Sequence, residues 1–181
     1  MKKIILMTLS ILMFYLSNGQ TNFIWEVTDS VAKTKAQLYS DSKMFIAKNW
    51  NSSKDVIQND DKEAGVILIK GTSIMKVSFM TLVYVYVYNY TVTFKMKDNK
   101  YKISIDNVYC ESAYYYGGNG SVAKIQPFDG ENCPETGTFK APGITKKKAI
   151  PMMMEFKKEL QSIIDNYESY IKNPSSLDNT W

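Results

Sequence analysis

The sequence predicts an α+β domain: one antiparallel sheet with two amphipathic helices packed on one face, in the order β-α-β-β-β-β-α. Three observations carry this. Residues 81–97 alternate with period two, and VYVYVYNY at 83–90 is the clearest part of that run. KDNK at 97–100 joins this run to a second alternating one, as a two-residue hairpin turn does. Stretches with apolar residues at helical spacing frame the strands on either side, and strands framed by one-sided helices share a single core between two layers.

The first twenty residues, MKKIILMTLSILMFYLSNGQ, stand apart from that pattern. Lys2 and Lys3 precede an apolar run from Ile4 to Leu16, and small or polar residues follow it, the layout of a signal peptide over 1–19. The run is shorter than the roughly 20 apolar residues a spanning helix needs, so export with cleavage is expected rather than a lasting membrane span. The location expected is periplasmic or extracellular. No cysteine lies near the cut to accept a lipid. A single domain then occupies 20–172, with a flexible tail at 173–181.

Asn22 to Val27 is the first strand, with Phe23 and Trp25 on one side. Thr34 followed by Gln37 is a capping-box signature, and it opens a helix over Lys35–Asn49. Leu38, Ser42, Phe45 and Asn49 form the inward stripe of that helix, widened by Tyr39, Ile46 and Trp50. Asp55 to Gln58 and Gly65 to Gly71 read as strands reversed by the acidic NDDKEAG. A looser connection through Ser73 and Met75 leads to the long strand from Thr81 to Lys97. Asp98 and Asn99 both tolerate the positive φ of a type I′ turn, and Tyr101 to Cys110 returns antiparallel.

From Ser112 to Lys148 the chain is rich in Gly, Pro, Asn, Tyr and Lys without a sustained period, the mark of a long functional or covalently tied loop. Pro151 suits the first position of a second helix. Met152, Phe156, Leu160, Ile163, Tyr167 and Ile171 then form its stripe until Asn173-Pro174 stops it.

Counting outward from Asp98 and Asn99 fixes the hairpin register. Met96 meets Tyr101, Phe94 meets Ile103, Val92 meets Ile105 and Tyr90 meets Asn107 on the helix-covered face. Lys97 meets Lys100, Lys95 meets Lys102, Thr93 meets Ser104 and Thr91 meets Asp106 on the open one. Two readings of the upstream half follow. Without a break, Tyr84, Tyr86 and Tyr88 join the core while Val83, Val85 and Val87 face outward, with Val87 opposite Cys110. With a bulge near Asn89 the parity swaps, and the three tyrosines become an exposed row suited to stacking a ligand.

Cys110 and Cys133 are the two cysteines. In an exported chain they suggest a disulfide, closing a loop of about 23 residues and contributing on the order of 3 kcal/mol in the chain-entropy model. The alternative is two unpaired thiols. A bond would draw Tyr114, Tyr115 and Tyr116 over the outward valines as a lid.

YSDSKMFIAKNWNSSKDVIQNDDKEAGVILIKGT at 39–72, with KDNKY at 97–101, resembles the bacterial exported family described as domain of unknown function 4468. The match is most specific in SSKDVIQ and DDKEAG. The resemblance implies a fold similar to the TATA-binding protein, a curved antiparallel sheet with two helices on one side, and an exported setting. It implies no activity. Asn99 stands where glycine is expected, which the same turn allows. After Ser112 nothing matches.

Composition narrows function chiefly by exclusion. There is no histidine, which removes His-based triads and His-ligated zinc. Without Lys2 and Lys3 the chain has 20 basic and 18 acidic residues, a net of +2, too near neutral to point to nucleic acid. Lys146, Lys147 and Lys148 read as a solvated loop. Asp60, Asp61 and Glu63 have the residue types of a cation site or acid-base pair, but NDDKEAG reads first as a solvated turn. GGNG at 117–120 lacks the lysine and helix of a phosphate loop. No catalytic residue, metal ligand or cofactor is assigned. The expected role is a binding module that uses Tyr84, Tyr86, Tyr88, Tyr114, Tyr115 and Tyr116, on the open face or the 112–148 loop, to hold an envelope protein, glycan or lipid as a monomer or weak oligomer. A structural part of an envelope assembly and a carboxylate-dependent enzyme are the alternatives.

Overall fold

The computed structural model describes residues 25–50, 52–79, 82–117, 122–124 and 144–173. The expected signal peptide, Asn22 to Ile24, Cys133, most of the 112–148 loop and the tail from Pro174 lie outside the described residues.

The chain forms β1 (Trp25–Ser30), α1 (Lys35–Asn49), a single turn α2 (Ser53–Val56), β2 (Ile57–Asp61), β3 (Val66–Phe79), β4 (Leu82–Lys97), β5 (Lys100–Tyr116), β6 (Val122–Lys124) and α3 (Lys146–Lys172). The strands make one antiparallel sheet in the order β1-β5-β4-β3-β2, and β6 joins the outer edge of β5 beyond β1. Both long helices cover the same face. Phe45 of α1 and Tyr167 of α3 meet edge-to-face with ring centroids 5.2 Å apart, and both lie on Phe94 of β4, at 6.3 and 4.9 Å. Below them Ile67, Ile69, Val92, Phe94, Tyr101, Ile103 and Ile105 are fully or almost fully buried. This apolar contact is the main stabilising term, because each large side chain withdrawn from water contributes about 1.5–3 kcal/mol.

Helix α1 begins as its residues predict. The Thr34 hydroxyl accepts from the Gln37 amide, and the Gln37 side chain accepts from the Thr34 amide. A further partner comes from far along the chain: the Asp98 carboxylate, at the hairpin tip, accepts from the Lys35 amide at 2.7 Å. Backbone bonds Val31 N to Asn99 O and Asn99 N to Lys33 O hold the same tip against the start of the helix. Ser42 is a polar residue in the apolar stripe that needs partners. Its hydroxyl donates to Leu38 O at 2.7 Å and shares a 2.8 Å hydrogen bond with the Tyr167 hydroxyl, which ties α1 to α3.

Several expected boundaries are corrected. The strand placed at Asp55–Gln58 is a helical turn followed by β2, because Ser52 caps it through Asp55 and accepts from the amides of Asp55 and Val56. The loose connection at Ser73 and Met75 is instead part of β3. Gly71 and Ser73 hide that strand in the sequence, yet each has a packing reason. A Cβ at Gly71 would lie 2.3 Å from the Tyr90 ring, so only glycine lets that ring rest against the backbone. Ser73 is buried and donates to Glu159 of α3 at 2.7 Å.

Helix α3 starts five residues before Pro151. Thr145 O accepts from the amides of Lys148 and Ala149, and Ile144 and Ala149 are buried. The proline ring fits helical φ, so the turn ahead of it persists at the loss of one backbone bond. Lys146, Lys147 and Lys148 are accordingly exposed first-turn residues rather than loop.

The hairpin register holds from Lys97↔Lys100 to Thr91↔Asp106 and then departs from the count. Of the two turn residues only Asn99 has positive φ, at 60°, so the type I′ geometry is not adopted. Asn107, with φ 50°, is the extra residue of a bulge: Asn89 pairs with Tyr109 rather than with Val108. That bulge also puts Cys110 opposite Tyr88, and a second irregularity at Glu111 then puts Ser112 opposite Val87. Both extra residues lie in β5, so β4 keeps its alternation throughout. Tyr84, Tyr86, Tyr88 and Tyr90 are all buried on the helix side.

Candidate functional site

The face of the sheet opposite the helices is the surface left for contact, and its two ends differ. Near the hairpin it presents Lys95 and Lys97 of β4 against Lys102 and Lys100 of β5. Val66, Thr28 and these lysines line a cavity of about 410 Å³. Lys102 forms an ion pair with Glu26 of β1 at 2.6 Å.

Beyond the bulges the same face turns apolar. Ile74 of β3, Tyr109 and Tyr116 of β5 and Val122 of β6 are 58, 53, 42 and 58 % exposed. The register puts them on this side, because cross-strand partners share a face: Ile74 pairs with Val87, Tyr109 with Asn89, Tyr116 with Val83 and Val122 with Tyr116. Tyr114 and Tyr116 stand edge-to-face with centroids 5.3 Å apart, and the neighbouring Tyr114 side chain raises the pKa of Tyr116. Val85, opposite Tyr114, is only 4 % exposed.

The six tyrosines expected to hold a partner divide between the two faces. Tyr84, Tyr86 and Tyr88 are at most 2 % exposed, so the exposed-row reading is overturned for them. Tyr88 packs on Phe156 of α3 with centroids 4.6 Å apart. Burial is the chief cause of the raised pKa of Tyr86. Tyr114 and Tyr116 do reach the open face, while Tyr115 pairs with Tyr84 along the ladder. Cys110 faces the helix side, opposite Tyr88 and not Val87, with its thiol toward Ser112 O at 3.3 Å. A lid drawn over the valines by that residue does not fit this register; its expected partner, Cys133, is outside the described residues. Tyr109, Ile74 and the extension of β3 went unrecognised in the sequence, because their placement depends on the bulges and on Gly71.

The acidic turn separates its carboxylates. Asp60 points to the helix side, where Lys43 donates to it at 2.5 Å and the Tyr39 hydroxyl also binds it; the Lys43 bond is the largest cause of its lowered pKa. Burial first, and Asp60 second, push the Tyr39 hydroxyl up to about 12. Asp61 points the other way and accepts from the Ala64 amide at 2.8 Å. Among the described residues no three His, Cys, Asp or Glu side chains gather at metal-binding spacing, and no helix is long and apolar enough to cross a membrane.

A second cleft of about 400 Å³ lies between α1, α3 and the edge of β3, lined by Asn49, Trp50, Tyr90, Glu159, Ser162 and Asn166 among others. Burial raises Tyr90 to about 12, with Glu159 as the next cause.

With the sheet order, the one-sided helices and the open face in place, the comparisons with known proteins agree with the architecture. The family model described as "Domain of unknown function (DUF4468) with TBP-like fold" matches residues 26–111. That segment belongs to the DUF4468 family. A TBP-like protein from Parabacteroides distasonis superposes with a TM-score of 0.55 at 12 % identity, over 81 % of this chain and 93 % of its own. A DUF4468 family protein from Bacteroides ovatus gives 0.49 at 12 % identity, over 80 % of this chain and 84 % of its own. At such identity the likeness to the Parabacteroides structure establishes the fold alone. None of the curated proteins matches the chain. The DUF4468 match ends at Glu111, so Ser112 to Tyr116 and α3 lie outside it.

Proposed function

We propose that this chain is an exported, non-catalytic interaction domain that holds a partner protein on the apolar end of its open sheet face. One observation carries the reading. Six large apolar side chains stand more than 40 % exposed among the described residues, and four of them, Ile74, Tyr109, Tyr116 and Val122, share that one end of one face. Scattered exposure needs no explanation, whereas a group on a single face marks a contact surface. Tyrosines with aliphatic neighbours have the composition of an interface centre. The basic, apolar start of the chain supports delivery to the envelope.

The test compares two double variants of the full protein, Tyr109→Ala with Tyr116→Ala, and Met44→Ala with Met154→Ala as a control of equally exposed side chains elsewhere. Each is used to retain proteins from a bacterial envelope fraction, and the retained bands are identified by mass spectrometry. The expected result is a partner kept by the wild type and the methionine variant and lost by the tyrosine variant. Equal retention by all three sinks the reading.

A further inference from the structure

We propose that the cavity at the hairpin end of the open face binds a soluble small molecule carrying two or more phosphate or carboxylate groups. The inference rests on the reading of the open face as a binding surface, but it uses none of the aromatic residues of the other end.

Charge arrangement is the first argument. Lys95 lies directly opposite Lys102, and Lys97 directly opposite Lys100. Like charges in opposed positions destabilise a strand pair, and here two such pairs follow each other on one face. A multiply charged anion seated between them converts that repulsion into attraction. Compensation from the protein is the second argument. Among the described residues Glu26 is the one carboxylate paired with this group, through Lys102. Lys95, Lys97 and Lys100 are exposed and make no ion pair among the described residues.

Shape is the third. About 410 Å³ falls within the range of small-molecule sites, and Ala64, Val66, Met96 and Tyr101 line the cavity together with the lysines. Lysines supply charge without the planar fork of arginine, which suits phosphate and carboxylate oxygens at variable angles. The position is also set firmly. Gly65, with φ 66°, closes the neighbouring turn and its carbonyl accepts from the Met96 amide at 2.8 Å, while Asp98 and Asn99 fasten the tip to α1.

The experiment is calorimetric titration of the full protein with pyrophosphate and, separately, citrate at low ionic strength. Three variants accompany the wild type. One combines Lys95→Gln, Lys97→Gln and Lys100→Gln. A second combines Lys146→Gln, Lys147→Gln and Lys158→Gln, removing the same charge from α3. The third is the Tyr109→Ala, Tyr116→Ala pair. The expected result is saturable one-to-one binding of at least one anion by the wild type. The hairpin variant should bind about tenfold or more weakly, the α3 variant within about threefold of the wild type, and added salt should weaken binding. The tyrosine variant should bind the anion as the wild type does, even where it has lost its protein partner, so failure of either site is read separately. Absence of saturable binding, or equal losses in the two lysine variants, overturns the proposal. So does binding to vesicles of anionic lipid without binding to either free anion.

Discussion

The two ends of the β4–β5 pair are built from the same alternating strands but follow different rules. From Lys97↔Lys100 to Thr91↔Asp106 every residue faces its counted partner, and the open side is basic. Beyond the bulge at Asn107 the partners shift, shift again at Glu111, and the open side becomes apolar and aromatic. Two extra residues in β5 restore the original parity from Ser112 onward, so Ala113 and Tyr115 oppose the buried Tyr86 and Tyr84. Between the bulges the parity is reversed, which turns Cys110 inward and Tyr109 outward. The difference teaches that local turn chemistry sets a register only as far as the first inserted residue.

The strongest way to break this comparison is to test which face of β4 is core. Tyr86→Ala should lower unfolding free energy by about 3–5 kcal/mol in denaturant titration, because a fully buried ring leaves a cavity. Tyr116→Ala, on the other face, should stay within about 0.5 kcal/mol of wild type. Comparable losses at the two positions would show that the faces are misassigned.

Gly71→Ala probes the close approach of Tyr90. Its Cβ has no space, so a loss of about 1–3 kcal/mol is expected by the same titration, and an unchanged midpoint would mean that the ring does not rest there. Asp98→Ala removes the carboxylate that accepts from the Lys35 amide and should cost about 1 kcal/mol, with helix α1 fraying in amide exchange. Protection of α1 equal to wild type would count against the hairpin tip as a fastening.

The smallest effect has the opposite sign. Lys97→Gln removes one of two opposed like charges and should raise stability by roughly 0.2–1 kcal/mol at low ionic strength, an increment that fades in 1 M salt. A decrease at low salt would show that Lys97 is already compensated.

Much of the architecture is legible in the residues because it depends on local periods. Helix α1 begins and ends at Lys35 and Asn49 as the capping box and stripe indicate, and the hairpin tip falls at Asp98 and Asn99. The extent of β3 was not legible, since Gly71 and Ser73 look like breakers until Tyr90 and Glu159 supply their partners. The early start of α3 was hidden by Pro151 for a similar reason: burial of Ile144 and Ala149 holds a turn that the proline alone argues against. Of the candidate residues, Tyr114 and Tyr116 were expected on a loop and lie instead on the extended strand β5, whereas Tyr84, Tyr86 and Tyr88 had two readings that the alternation could not separate.

By itself, then, the sequence determined the α+β class, the first helix, the hairpin turn and the four lysines facing one another beside it, because side-chain period and backbone preference act over a few residues. Only the tertiary structure decided that the tyrosines lie beneath α3, that Cys110 faces inward, and that Ile74, Tyr109, Tyr116 and Val122 share one surface. A bulge in one strand is set by how well the whole sheet packs against its helices, and that energy belongs to residues far apart in the chain.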